Sequence, residues 1–385
     1  MAEDWENGGF GLYIHWPFCQ AKCPYCDFNS HVVAKIDQKA WAAAYLSEID
    51  RVGAETQGRV LRSVFFGGGT PSLMDPEVVD AVLTRVRATW PMANDTEITL
   101  EANPTSVEAG RFAGYRDAGV NRVSMGIQAL NDADLKALGR LHSADEAMRA
   151  FDVARAVFDR VSFDLIYARQ GQTVAAWQAE LAQALSLAVD HLSLYQLTIE
   201  DGTAFGDRYS AGKLRGLPDD DAAADMYLAT QDICESAGFA AYEVSNHARD
   251  GAESTHNRIY WKYGDYAGIG PGAHGRLTIG GQRYATDTPL APAGWLAQVR
   301  KQGSGEASRE VLNETDQFTE FLLMGLRLHE GIDRTRFANQ WNDELYNNIN
   351  GLVDIGMLEL TPDRLCVSPR GRPVLNAVLR ELLTG

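Results

Sequence analysis

Short apolar runs rich in β-branched and aromatic residues recur through the first half of the chain: LYIHW (12–16), SVFFG (63–67), EITLEAN (97–103), RVSMGIQ (122–128), RVSFDLIY (160–167) and HLSLYQL (191–197). Between them lie stretches with apolar positions at helical spacing, such as KAWAAAYLSEIDRV (39–52), PEVVDAVLTRVRATW (76–90) and VAAWQAELAQALSLA (174–188). Strands alternating with helices predict parallel βαβ units and an α/β fold. Six such units make a partial barrel or a doubly wound sheet, and in both the functional side chains collect at the carboxyl ends of the strands. Three cysteines follow strand one, GGGTP follows strand two, Glu101 ends strand three, Gln128 ends strand four and Asp164 lies in strand five. These groups are expected to share one face.

Beyond residue 215 the alternation gives way. DDDAAADMYLATQDICESAG (219–238) reads as a capped helix, a Gly- and Tyr-rich stretch covers 242–284, and KQGSGEAS (301–308) has the composition of a linker. Helical patterns follow, then GMLELTPDRLCVSPRGR (356–372), which predicts a hairpin turning at Pro362 and Asp363, then a last helix. The organisation expected is an α/β unit over 1–215, an extension over 216–305 and a small winged-helix-like α+β domain over 306–385. Such domains often bind DNA, but residues 308–385 hold 12 Asp/Glu against 8 Arg and no Lys, which favours a packing or interaction module.

Composition narrows the setting. The 385 residues, 45% hydrophobic and 23% charged, suit a globular protein with a large core. The opening MAEDWENGG lacks the basic start and apolar run of a secretory signal. No apolar run approaches the roughly 20 residues that span a bilayer. Five cysteines, three of them clustered, do not make a disulfide framework, so a cytoplasmic protein is expected. A net charge of -17 argues against a nucleic-acid partner, which needs a concentrated positive surface.

The chemistry centres on HWPFCQAKCPYCDFNSH (15–31), where Cys19, Cys23 and Cys26 are spaced C-x3-C-x2-C. Three thiolates can hold three irons of a [4Fe–4S] cluster and leave the fourth iron open to a small molecule. A structural zinc ion wants four closed ligands, and His15 or His31 could complete that set. Three unrelated buried thiols are the bland alternative. Ligand preferences favour the cluster.

This motif, on the loop after the first strand, resembles the signature of the radical S-adenosylmethionine (SAM) superfamily. YIHWPFCQAKCPYCDF resembles, more narrowly, the branch that contains oxygen-independent coproporphyrinogen III oxidase and the HemW heme chaperones. The likeness runs through nearly the whole chain. It implies a partial (β/α)6 barrel with a [4Fe–4S] cluster on Cys19, Cys23 and Cys26, SAM chelating the open iron, and a low-potential donor whose electron cleaves SAM to a 5′-deoxyadenosyl radical. It also implies a SAM pocket. FFGGGTPS, with Gly67, Gly68, Gly69 and Thr70, would receive the methionine moiety, its glycines letting backbone N–H groups approach a ligand. Glu101, Gln128, Arg140 and Asp164 match further pocket positions, and Tyr13 and Tyr25 flank the cluster. Taken alone, a Gly triplet is more often a tight turn and Glu101 a solvated carboxylate. Gln170 stands where relatives usually carry Pro, which implies an altered loop.

Within that branch the oxidase has a further cysteine two residues after the third, and here that position is Phe28. STHNRIYWKYGDYAGIGPGAHG (254–275) resembles the chaperone side, whose mark is H-N-x-x-Y-W, here His256, Asn257, Tyr260 and Trp261. Imidazole is a usual axial ligand of heme iron and aromatic rings can stack on a porphyrin. His256, Tyr260 and Trp261 are therefore expected to hold heme, the alternative being a packed, hydrogen-bonded histidine. His247, where relatives usually have Phe, is read as a second ligand or a surface substitution. The resemblance implies a chaperone that passes heme to an acceptor hemoprotein, a membrane-bound respiratory enzyme, from the cytoplasm or from the inner-membrane surface. The rival readings are a coproporphyrinogen III oxidase and a radical-SAM methylase or cyclopropanase. No catalytic residue is assigned.

Overall fold

The computed structural model describes residues 3–383. The six expected strands form: β1 (Phe10–Trp16), β2 (Leu61–Gly68), β3 (Met92–Ala102), β4 (Arg122–Gln128), β5 (Arg160–Tyr167) and β6 (His191–Gln196). They pair in parallel and in chain order. Their period-two pattern explains the layering. One row is apolar and buried: Val123, Met125 and Ile127, then Val161, Phe163 and Leu165, then Leu192 and Leu194. This row packs under helices α1 (Gln38–Glu55), α2 (Pro76–Thr89), α3 (Phe112–Ala118), α4 (Ala144–Val157) and α5 (Val174–Leu187), as where Phe151 meets Phe163 edge-on at 5.2 Å. The opposite row is polar, and Glu101, Ser124, Ser162 and His191 share one register line across β3 to β6. The helix starts are locally encoded: Asp37, Ser143 and Thr173 each accept a hydrogen bond from the backbone N–H three residues on.

The extension does not form a separate layer but continues the sheet at both edges. Beyond β6 lie β7 (Ala240–Ala241) and β8 (Asn246–Ala248), and beyond β1 lie β9 (Asp265–Ile269), β10 (His274–Ile279), β11 (Gln282–Asp287) and β12 (Ser308–Val311). The order across the twelve strands is β12-β11-β10-β9-β1-β2-β3-β4-β5-β6-β8-β7. Only β9 among the added strands runs parallel to its barrel neighbour. The stretch 301–308, read as a linker, instead ends a helix (Pro292–Gln302) at Gly303 (φ 71°) and feeds directly into β12, so the chain stays with the main sheet to Val311. Asp219 caps helix α6 (Asp220–Ser236), which docks on α5 where Trp177 Nε1 donates to Thr230 Oγ1 at 2.8 Å.

Two features complete the fold. Helix α7 (Thr255–Trp261) lies against the amino-terminal halves of β1, β2 and β3. It is anchored by the buried Glu97 of β3, which accepts from the His256 N–H at 3.2 Å, from Ser254 Oγ at 3.1 Å and from Arg160 Nη1 at 3.0 Å. Residues 314–383 supply three helices around a three-stranded sheet whose hairpin turns at 361–363, with a second apolar core that also takes in Tyr263. Replacing Glu97 by Ala would leave the buried Arg122 guanidinium without its carboxylate and free α7, and is expected to cost about 3 kcal/mol or more of unfolding free energy. Urea denaturation checks this, and a loss under about 0.5 kcal/mol, the size of an ordinary surface change, would contradict it.

Candidate functional site

The cysteine loop leaves β1 at Pro17. A two-residue strand, Phe18–Cys19, pairs in parallel with His31–Val32 and pinches the loop between them. Cys19, Cys23 and Cys26 are all free and half-buried. Thr70 Oγ1 donates to Cys19 Sγ at 3.3 Å, and Arg140 Nη1 donates to Cys23 Sγ at 3.3 Å. Arg140 is itself fixed by Asn103 Oδ1 at 2.6 Å and the Gly126 carbonyl at 2.8 Å. Burial pushes the Cys19 and Cys26 thiols up, while hydrogen bonds from Thr70 and Ser30 pull the other way on Cys19. Such donors favour sulfur carrying negative charge, as in a metal thiolate. A closed zinc site fits less well. His15 uses Nδ1 with the Tyr13 hydroxyl at 3.0 Å and Nε2 with the Asn29 carbonyl at 2.9 Å, and His31 turns Nε2 to Asn29 Oδ1 at 3.1 Å. Among the described residues no group of three His, Cys, Asp or Glu is drawn together around a single-ion site. Three thiols without a fourth protein ligand fit a cluster with one open iron.

The glycine loop sits directly beneath the cysteines. Gly68 has φ +109°, and a Cβ there would fall 2.6 Å from the His15 ring. At Gly69 a Cβ would fall 2.7 Å from the Phe18 carbonyl oxygen, while the Gly69 and Thr70 N–H groups donate to the Trp16 and Phe18 carbonyls at 2.7 and 2.8 Å. These glycines are therefore needed to seat the cysteine loop. Tyr25 lies beside Cys23 and Arg140, within the cysteine loop. Tyr13 is adjacent to the motif in sequence but points into the barrel, beside the stacked Phe65 and His256 rings.

A cavity of about 210 Å³ opens in the barrel, with Tyr13, Glu101, Ser124, Asp164, His256 and Tyr260 among its walls. Burial and the nearby Asp164 push Glu101 up to about 8, although the Gly68 N–H donates to it. Burial pushes Asp164 up to about 6, against Ser193, Arg122 and Ser124. A polar chain leads to Asp164: Arg122 Nη2 to Ser162 Oγ at 2.9 Å, Ser162 to Ser124 at 3.0 Å, and Ser124 to Asp164 Oδ1 at 3.3 Å. Gln128 ends β4 with φ 77°, a left-handed turn rare outside glycine. Sequence reading missed Arg122, Ser124, Ser193 and Asn103. For Arg122, Ser124 and Ser193 the signal was present, as polar residues alternating with apolar ones in strands whose apolar row already faces helices.

The expected heme residues are placed differently from an open ligand set. His256 is 2% exposed. Its Nδ1 meets Ser63 Oγ at 2.7 Å, its Nε2 meets the Tyr260 hydroxyl at 3.0 Å, and its ring stacks on Phe65 at 4.8 Å. Neither nitrogen is free for iron in this arrangement, which is the packed alternative, and burial lowers its pKa to about 3. Trp261 faces the C-terminal unit, under Arg327. His247 is not on the surface: it is 1% exposed in β8, its ring nitrogens without hydrogen-bond partners, and burial lowers it to about 4. Gln170 donates to the Arg215 carbonyl at 2.6 Å and so ties the altered loop down.

With this geometry in place, comparison with known proteins gives a consistent result. Residues 13–182 match the Radical SAM superfamily and residues 312–374 the HemN C-terminal domain. The chain is thus built as a radical SAM protein. It superimposes on coproporphyrinogen III oxidase (HemN) from Escherichia coli with a TM-score of 0.81 over 98% of this chain and 90% of that one, at 22% identity, a likeness of fold. It is 38% identical to the heme chaperone HemW of Escherichia coli over 97% of both chains. It is 40% identical to the mitochondrial radical S-adenosyl methionine domain-containing protein 1 of Bos taurus, over 97% of this chain and 87% of that one. The chain belongs to the HemW-related family of the radical SAM superfamily.

Two predictions follow from the pocket. A carboxyl whose folded pKa is raised binds protons more readily folded than unfolded, so its contribution to stability is full below about 4.5 and lost as pH rises through about 8. The ligand-free protein should therefore lose melting temperature across that window, and Glu101→Gln should flatten the loss, as read by calorimetry at several pH values. An identical pH profile in the variant would rule Glu101 out as the source. Gly69→Ala should lower bound iron as well as any response to SAM, because the added methyl displaces Phe18 next to Cys19. Parent-level iron in that variant would show that the loop bears only on the ligand.

Proposed function

We propose that this protein is a heme chaperone that takes up heme and hands it to an acceptor hemoprotein. The observation that carries the reading is its 38% identity to a heme chaperone over 97% of both chains. Phe28, in place of the oxidase's further cysteine, supports it. Cys19, Cys23 and Cys26 would hold the [4Fe–4S] cluster, which would supply a chelation point for SAM and a one-electron reductant. The Gly68–Thr70 loop, with Gln128, Arg140 and Tyr25, lines the place of SAM at the rim. Glu101 and Asp164 lie deeper. Kept largely protonated by burial, Glu101 ionises when a positive group arrives beside it. The acceptor is a membrane-bound respiratory enzyme and the electron source a low-potential carrier. Among the described residues no helix is long and apolar enough to cross a membrane.

Anaerobic reconstitution is expected to load about four iron and four sulfide per chain. Cys23→Ala should lose most of both, while Cys234→Ala and Cys366→Ala, in helix α6 and the C-terminal hairpin, should keep them. The loaded protein should bind added heme with a Soret band and leave coproporphyrinogen unchanged in the presence of SAM and reductant. Conversion to protoporphyrinogen would replace the chaperone reading with the oxidase.

A further inference from the structure

The chaperone reading leaves the heme without a seat. His256 has both nitrogens engaged. The barrel cavity of about 210 Å³ is smaller than the roughly 300–1,000 Å³ pockets that enclose drug-sized ligands, and a porphyrin is larger still. A heme site therefore belongs on the surface, where a free imidazole must coincide with apolar area and a rigid backing.

One place combines them, beside the cysteine loop. Phe28 is 58% exposed and Val32 56% exposed on that loop, and Leu290 is 65% exposed on the facing one. Single exposed apolar residues are ordinary, but a group of large ones held together marks a binding surface. Asn29, next to Phe28, ties that loop to the one that carries Leu290. Its Nδ2 donates to the Pro271 and Leu290 carbonyls, each at 2.9 Å, and its Oδ1 meets His31 Nε2 at 3.1 Å. Gly272, at φ +80°, is pressed so close that a Cβ would fall 2.4 Å from Asn29 Nδ2. The turn before β10 is thus fitted to the cysteine loop. Two residues on, His274 opens β10 with an exposed side chain, and among the described residues no hydrogen bond or ion pair engages its ring. His31 and His274 both lie near enough to His15 for their charge to disfavour its protonation.

Resting on the chaperone reading, we propose that heme lies on the surface formed by Phe28 and Leu290, with His274 as iron ligand and His31 beside it. Phe28 would then do more than replace a cysteine: it presents an aromatic face to the macrocycle. A heme seated on the surface keeps one side open to an acceptor's own ligand, which a buried pocket would deny.

The test titrates ferric heme into the full, cluster-loaded chain and follows the Soret band and the ferric EPR signal. His274→Ala should shift the band and weaken binding at least about tenfold, the cost usual for losing even a supporting group at a metal. Added imidazole should restore the parent band in that variant. Phe28→Asp should weaken binding with the band in place, and His329→Ala, an exposed histidine on the C-terminal unit, should match the parent. Iron and sulfide content confirm that each variant keeps its loop. If the His31→Ala/His274→Ala double variant keeps the parent's spectrum and affinity, the site is wrong while the chaperone reading stands. If the parent itself takes up no heme, the chaperone reading falls and the site with it.

Discussion

One buried carboxylate holds the architecture to its purpose. A parallel barrel whose inner row is polar has to satisfy those groups internally, because a buried donor or acceptor without a partner costs more than a bond gains. Glu97 does this at the closed end. It takes hydrogen bonds from two segments far apart in sequence, the Arg160 side chain of β5 and the Ser254–His256 start of α7, and sits 4.0 Å from the Arg122 guanidinium. With α7 fixed, His256 reaches Ser63 and Tyr260, and the cavity between this helix and the open end has a defined depth. The H-N-x-x-Y-W stretch therefore reads as the base of the barrel cavity, and Tyr13 packs against its His256 ring.

At the open end the constraint is backbone proximity. The cysteine loop, the glycine loop and the turn before β10 approach within distances that only glycine permits at Gly69 and Gly272. Arg140 reaches across from beyond β4 to join Cys23, Asn103 and Gly126. The thiols, Arg140 with Asn103, and the exposed Phe28–Leu290 surface are thus tied into one assembly.

The C-terminal unit is tied to the barrel by individual polar contacts as well as by Tyr263. Arg336 bonds Asp4 at 2.7 Å, and Glu320 takes Arg276 at 2.7 Å and the Tyr263 hydroxyl at 3.0 Å. Trp261, at the end of α7, lies at this junction under Arg327. The base of the cavity and the C-terminal unit consequently share a helix.

The sequence alone determined the local and the periodic. Short apolar, β-rich runs marked all six barrel strands, the acidic start of 219–238 marked a capped helix, Pro362 and Asp363 marked the last hairpin, and C-x3-C-x2-C marked the thiols, because each signal is carried by neighbours along the chain. Tertiary structure decided what depends on distant partners. The extension at both sheet edges, the absorption of 301–308 into the main sheet, the burial of His247 and the enclosure of His256 are set by contacts with residues tens to hundreds of positions away. His256 is the sharpest case. Its residue type and motif are compatible with an iron ligand, and only Ser63, Phe65 and Glu97, brought in by β2 and β3, make it a packed imidazole. His274, in the same stretch, carries no stronger local signal, yet the fold leaves its ring exposed.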